Sequence, residues 1–416
     1  MRLRTIPYSL SALALSAALA GAQTFDSGSD GSDGALTFPA NAGVIVFDPV
    51  ALGLDTSDNV FNFTTVTVPT GTAVVLSAGN LGGEGKPVYW LASGDVVIDG
   101  VLDLNGEDGH LVGGPNVPSM PGAGGYSGGR GTTSDDRPAT AGNGPGGGLP
   151  VPGGPFARQG GGGGHATSGP NGASSGGVGG SAYGNPFLQP LIGGSGGAGG
   201  YFPPPTGGNL TAGGGAGGGA ILIASSTKIL ISGEIHADGG SGQASSTGSN
   251  GSGGAIRLIA AEVGGGGDVT AVGGSAFGVF AASPGRIRVE AFKFSAFATA
   301  DPSPEVGAPG SVFPPPTTPV VQVTTIGGVS VVADPTGSFA TPDAVVNVTG
   351  STTIELAANN VPLGTVLTVT VRAENGTPVT VNSTPLTGTL ANSTASVSVA
   401  LPSGFSRLFV TASWTP

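Results

Sequence analysis

Apolar and polar residues alternate along this chain in short runs closed by glycine, and one such pattern recurs. It reads Val96-Val97-Ile98-Asp99-Gly100-Val101-Leu102-Asp103-Leu104-Asn105-Gly106, then Ile229-Leu230-Ile231-Ser232-Gly233-Glu234-Ile235-His236-Ala237-Asp238-Gly239. A decayed copy follows at Asp268-Val269-Thr270-Ala271-Val272-Gly273-Gly274. Each copy has an apolar run upstream: Val88-Tyr89-Trp90-Leu91-Ala92, Ile221-Leu222-Ile223-Ala224 and Ile256-Arg257-Leu258-Ile259-Ala260. Arg286-Ile287-Arg288-Val289-Glu290-Ala291 ends the series. Period-two alternation marks a strand with one buried side. A two-strand unit ending in a glycine turn cannot bury that side alone, so copies must stack.

The pattern predicts an all-β chain built on a short right-handed parallel β-helix over residues 61–300, after a lead-in or cap at 23–60. Parity assigns Val96, Ile98, Leu102 and Leu104 to the interior together with Ile229, Ile231, Ile235 and Ala237. Asp95, Asp99, Asp103 and Asn105 fall on the outer side with Lys228, Ser232, His236 and Asp238. If the first two copies are adjacent rungs, Lys228 lies beside Asp95 and His236 beside Asp103.

Those two copies are 133 residues apart, which makes residues 107–219 one glycine-rich excursion between neighbouring rungs. A loop this long is normally functional or disordered. A flexible loop is the favoured reading, and packed extended polyglycine is the alternative that glycine permits. Residues 301–319, with Pro314-Pro315-Pro316, read as a stiff extended linker. Residues 320–416 hold short alternating runs such as Val366-Leu367-Thr368-Val369-Thr370-Val371, with Asn375-Gly376 as a hairpin signal. They predict a C-terminal β-sandwich of immunoglobulin-like or fibronectin-like size.

Composition narrows the setting. The chain has 416 residues, 82 glycines, 34 prolines, no cysteine and a formal net charge of −12. Residues 1–22 carry Arg2, Arg4, a short apolar stretch and Ala20-Gly21-Ala22, the layout of a secretory signal peptide. The expected product is secreted or held at the cell surface, without disulfides and without a transmembrane segment in the mature chain. So few cations make nucleic acid an unsuitable partner.

Residues 61–106, with "VTVPTGTAVVL" and "LASGDVVIDGVLDLNG", resemble a group of exported glycine-rich bacterial proteins with stacked β rungs. The C-terminal "VPLGTVLTVTVRAENGTPVTV" resembles the fibronectin- or immunoglobulin-like module that often follows them. The resemblance covers nearly all of the mature chain and its motifs are structural. It implies an extracellular or surface setting and transfers no catalytic residue.

Candidate chemistry is sparse. Asp99, Asp103, Glu234, His236 and Asp238 could form an acid/base site on an exposed solenoid face, as in a polysaccharide lyase or hydrolase. A solvated face with register-setting pairs is the plainer reading. Calcium is a second candidate, through Asp26, Asp30 and Asp33 or through Asp103, Asn105 and Asp108, because such loops supply several oxygens. Plain Asx turns account for the same residues, and no cofactor is expected. Arg257, Arg286 and Arg288 could form a ladder for acidic polymers unless Glu262 and Glu290 neutralise them. His110, His165 and His236 are too far apart in sequence to suggest zinc. The hydrolase-elbow match at Gly193-Gly194-Ser195-Gly196-Gly197 lies outside any strand-to-helix turn. The leading expectation is a non-catalytic adhesive or structural protein, with polysaccharide or another surface polymer as partner. The alternatives are the carbohydrate-active enzyme and a flat-face binder of ice or a crystalline polymer.

Overall fold

The computed structural model describes residues 23–414 apart from 112, 115–116, 134–137, 152, 174, 204–210, 243–246, 276–280, 316, 333–334, 336–341, 349 and 374–377. Residues 1–22, read as a signal peptide, and the hairpin signal Asn375-Gly376 lie outside the described residues.

The solenoid opens with β1 (Ala35–Thr37), β2 (Gly43–Val46), β3 (Val60–Phe63), β4 (Thr65–Val68) and β5 (Thr72–Val75). It continues with β6 (Val88–Ala92), β7 (Val96–Ile98), β8 (Val101–Asp103), β9 (Ala220–Ile231) and β10 (Glu234–His236). The last rungs are β11 (Ala255–Gly264), β12 (Asp268–Thr270), β13 (Arg286–Phe294), β14 (Thr299–Asp301) and β15 (Glu305–Gly307). All of these strands pair in parallel, in two sheets. The first runs β1-β4-β7-β9-β11-β13-β15, with β3 and β6 joining it through β9, and the second runs β2-β5-β8-β10-β12-β14.

The register is the one the repeat predicts. Ile98 pairs with Ile231, Leu102 with Ile235 and Asp103 with His236. The eight interior positions assigned by parity are fully buried. At the N-terminal end, Phe47 meets Phe61 and Trp90 edge-on, each at 5.3 Å between ring centroids. Such contacts add to the area these rings bury. Truncating a core side chain such as Leu102 removes about 2–5 kcal/mol.

Two boundaries differ from the sequence reading. Residues 35–46 form a rung of their own, since β1 pairs with β4 and β2 with β5, so the lead-in is part of the stack. β14 and β15 carry the solenoid into the segment read as linker. Beyond them, Gly310 N–H donates to Glu290 Oε2 (2.9 Å), and Arg257 donates to the carbonyls of Ser311 (2.9 Å) and Val312 (3.0 Å). Residues 310–313 are therefore bonded down onto the first sheet rather than extended in solvent.

The largest difference is the glycine-rich excursion. Its described residues form an ordered array of extended segments in place of the flexible loop. Tyr126, Gly129 and Thr132 donate their N–H groups to the carbonyls of Gly194, Gly197 and Gly200. A second neighbour bonds the same segment through Gly217 to Tyr126 and Gly214 to Gly129, and a third through Asn143 to Ser127 and Thr140 to Arg130. A three-residue period is that of the polyproline-II helix, whose peptide groups point outward and find no partner within their own segment. Here neighbouring segments on several sides supply the partners. Shorter arms leave the solenoid after β10 and after β12 and join the same array, as where Gly240 N–H donates to the Ala216 carbonyl and Ser283 N–H to the Gly163 carbonyl. Buried backbone must be paired, and pairing on several sides brings segments too close for side chains. A Cβ on Gly217 would fall on the Gly194 carbonyl, well inside van der Waals contact.

The C-terminal unit has two antiparallel sheets. One holds β16 (Val320–Ile326), β17 (Val329–Ser330), β18 (Ser351–Asn359), β21 (Thr387–Thr389) and β22 (Asn392–Ala400). The other holds β19 (Val366–Ala373), β20 (Val379–Pro385) and β23 (Ser406–Ala412). Ile354, Leu356, Val369 and Val397 share their common core. Arg372 fastens this sandwich to the array by donating to the Gly147 carbonyl (2.7 Å), and Arg407 fastens it to the segment between β5 and β6 by pairing with Glu84 (3.4 Å).

Two glycine substitutions should separate array packing from glycine content. Gly217→Ala is expected to lower stability by about 1–3 kcal/mol through overpacking. Gly153→Ala, where a Cβ meets open space, should leave it within about 0.5 kcal/mol. Urea unfolding followed by tryptophan fluorescence reads both.

Candidate functional site

The candidate acid/base residues lie on the outer face of the second sheet, where β8, β10, β12 and β14 stack. The register places Asp103, His236, Thr270 and Asp301 in one row across these strands. Thr270 belongs to the decayed repeat and occupies the position equivalent to His236, so aligning that copy would have placed it in the row.

The row is tied together by hydrogen bonds. Glu234 Oε2 lies 2.8 Å from His236 Nε2, and His236 Nδ1 lies 2.7 Å from Thr270 Oγ1. The Thr270 hydroxyl donates to Asp238 Oδ2 (2.9 Å). With that hydrogen directed at Asp238, Thr270 accepts from His236 Nδ1. The threonine hydroxyl therefore points at a carboxylate rather than at a base.

The remaining oxygens serve the neighbouring rung. Asn105 Oδ1 accepts the Asp238 N–H (2.7 Å), and Asp238 Oδ1 accepts the Val272 N–H (2.8 Å). One helical turn outward, Asp108 Oδ1 accepts the Ser241 N–H (2.7 Å) and Ser241 Oγ accepts the Ser275 N–H (3.2 Å). These positions are where strands become glycine arms and the sheet ladder gives out, so side-chain oxygens satisfy the amides instead. Burial raises the Asp238 carboxyl above its usual range, opposed by the Val272 amide, the Thr270 hydroxyl and the nearby His236. Asp103 Oδ1 closes an Asx turn on Asn105 N–H (2.9 Å), and Asp99 stands exposed at the glycine turn. Lys228 meets Asp95 at 3.3 Å, as the register requires.

The N-terminal calcium candidates are occupied in the same manner. Asp26 accepts from Gly28 N–H and Asp30 from Ser32 N–H (both 2.9 Å), while Asp33 accepts the Asn62 N–H (2.6 Å). Among the described residues no group of three or more His, Asp or Glu could hold a metal ion.

The arginine ladder is internal. Arg257 and Arg288 share Glu290 Oε1 at 2.9 and 2.6 Å, and Lys293 meets Glu262 at 2.6 Å. Arg286 reaches the Tyr183 carbonyl (3.2 Å) beneath the array. Beside it, His165 stacks on Tyr183 at 4.7 Å and its Nδ1 faces the Gly253 carbonyl at 2.7 Å. Burial, more than the nearby Arg286, lowers the His165 pKa to about 4. Ser195, the serine of the elbow-like match, lies fully buried in the array, where its N–H donates to Ser252 Oγ (2.8 Å). A cavity of about 450 Å³ opens between the sandwich and the array, lined by Val323, Ile326, Phe405 and Leu408, on other elements than the Asp103 row.

No family model, curated protein or solved structure matches this chain.

Two outcomes follow. Asp238→Ala leaves the Val272 amide and the Thr270 hydroxyl without their acceptor and should cost about 1–3 kcal/mol of stability in urea unfolding. His165 binds its proton more weakly folded than unfolded, so stability falls as pH drops from 6.5 toward 4, by up to about 3 kcal/mol. His165→Phe should flatten that part of the stability–pH curve.

Proposed function

We propose that this chain is an exported, non-catalytic surface or matrix protein with an adhesive or structural role. The observation that carries the reading is the use made of the polar groups on the second sheet's outer face. Asn105, Asp108 and Asp238 accept backbone amides of the next rung, and Thr270 and His236 bond to their neighbours. Chemistry at a glycosidic bond needs one carboxyl free to give a proton and another free to attack or to activate water. Asn105, Asp108 and Asp238 serve the stack instead, Glu234 is held by His236, and Asp103 closes a local turn. The signal-like residues 1–22 support export.

A polysaccharide-cleaving enzyme is the second reading, favoured by one feature: His236 is partly exposed and flanked by Glu234 and Asp238 at 2.8 and 3.9 Å.

Reducing-end release by the purified mature chain from neutral and acidic polysaccharides separates the two. The expected result is no release above buffer, with or without calcium. Release that disappears in both Asp103→Ala and His236→Ala would overturn the non-catalytic reading.

A further inference from the structure

The outer face of the first sheet is covered unevenly. Leu91, Leu222, Ala224 and Ile259 point outward there and are buried under Leu188, Leu191 and Val312. The loop holding Leu188 meets the segment holding Val312 where Gln189 Nε2 donates to the Ser311 carbonyl (3.0 Å). Each covering segment also carries a phenylalanine that is not buried. Phe187 is 61% exposed and Phe313 is 44% exposed.

Both rings are held from beneath. The Arg288 guanidinium lies 4.9 Å from the Phe187 ring centroid, and Phe313 packs on Tyr89 at 5.4 Å. Tyr89 pairs with Leu222, Leu222 with Arg257 and Arg257 with Arg288, so the two supports stand in one row three strand spacings apart. That distance is about 14 Å. Arg257, which donates to Ser311 and Val312, sits between them, and the half-buried Gln189 shares the Ser311 carbonyl with it.

We infer that this strip is a stacking platform for one chain of neutral polysaccharide. Two aromatic faces whose supports stand a few sugar lengths apart, with the Gln189 amide between them, match a polymer of flat rings whose faces are apolar and whose edges carry hydroxyls. Charge argues for a neutral chain. Arg257 and Arg288 are occupied by Glu290, Glu305 is the next residue in the row, and the protein as a whole carries −12. An acidic glycan would be repelled. The inference rests on the adhesive reading and gives it a partner class.

The test is depletion of the full mature chain from solution by microcrystalline cellulose and by chitin particles at high salt. The wild type should be retained, and each of Phe187→Ala and Phe313→Ala should weaken retention about tenfold. Phe156→Ala, a ring 67% exposed elsewhere, should bind as wild type. Because Phe313→Ala also uncovers Tyr89, Phe187→Tyr with Phe313→Tyr serves as the folded control and should keep retention. A wild type that stays in solution with both polymers, or alanine variants that bind as wild type, would overturn the platform. Turnover of a polymer would overturn the non-catalytic reading alone, and lack of retention without turnover would overturn the platform alone.

Discussion

Every part of this molecule is organised by one constraint: a buried peptide group must have a partner. In the solenoid the partner is the next rung, in parallel register. In the array it is whichever extended segment lies beside the chain. The first arrangement carries side chains on two faces and makes a conventional apolar core. The second has no room for them and is built from glycine. Glycine loses more conformational freedom on ordering than any other residue, so the array depends on nearly complete hydrogen bonding. Its strands are positioned by the solenoid, which launches arms from successive rungs at one strand spacing. Hydroxyls then fix them locally, as where Ser119 Oγ donates to the Gly214 carbonyl (2.8 Å) and Ser252 Oγ accepts the Ser195 N–H (2.8 Å).

The same constraint explains the polar face. At the seam between sheet and array the two bonding schemes do not join, and amides are left over. Asn105, Asp108, Asp238 and Ser241 supply acceptors at this seam, one rung to the next. A row of carboxylates and a histidine at strand spacing looks like chemistry in a sequence. In three dimensions its neighbours Asn105, Asp108, Asp238 and Ser241 stitch together two kinds of secondary structure.

Much of the solenoid was legible because its repeats keep one offset. Val96 and Ile229 share a register position, and so do Asp103 and His236, so the inner and outer faces followed from parity. The bonds of His236 and Asp238 went unread, because their partner Thr270 sits in a copy eroded to a few residues that has to be aligned before it falls into the row. The array was invisible for a deeper reason. Sequence patterns report where side chains go, and here the information sits in backbone contacts between segments with few side chains. The position of residues 310–313 was hidden similarly: proline spacing suggests extension, and nothing local shows that Arg257 will bond to that backbone.

The array also bears on resistance to proteolysis. A chain without cysteine has no covalent bond to hold it closed once proteases find an entry. Proteases bind an extended substrate by pairing with its peptide groups and by gripping its side chains. In the array those peptide groups already have partners on several sides, and a segment such as 193–200 offers only hydrogens, one methyl and one hydroxymethyl group to grip. Cleavage would require lifting a segment away from its neighbours, which ties its resistance to digestion to the cooperativity of the lattice.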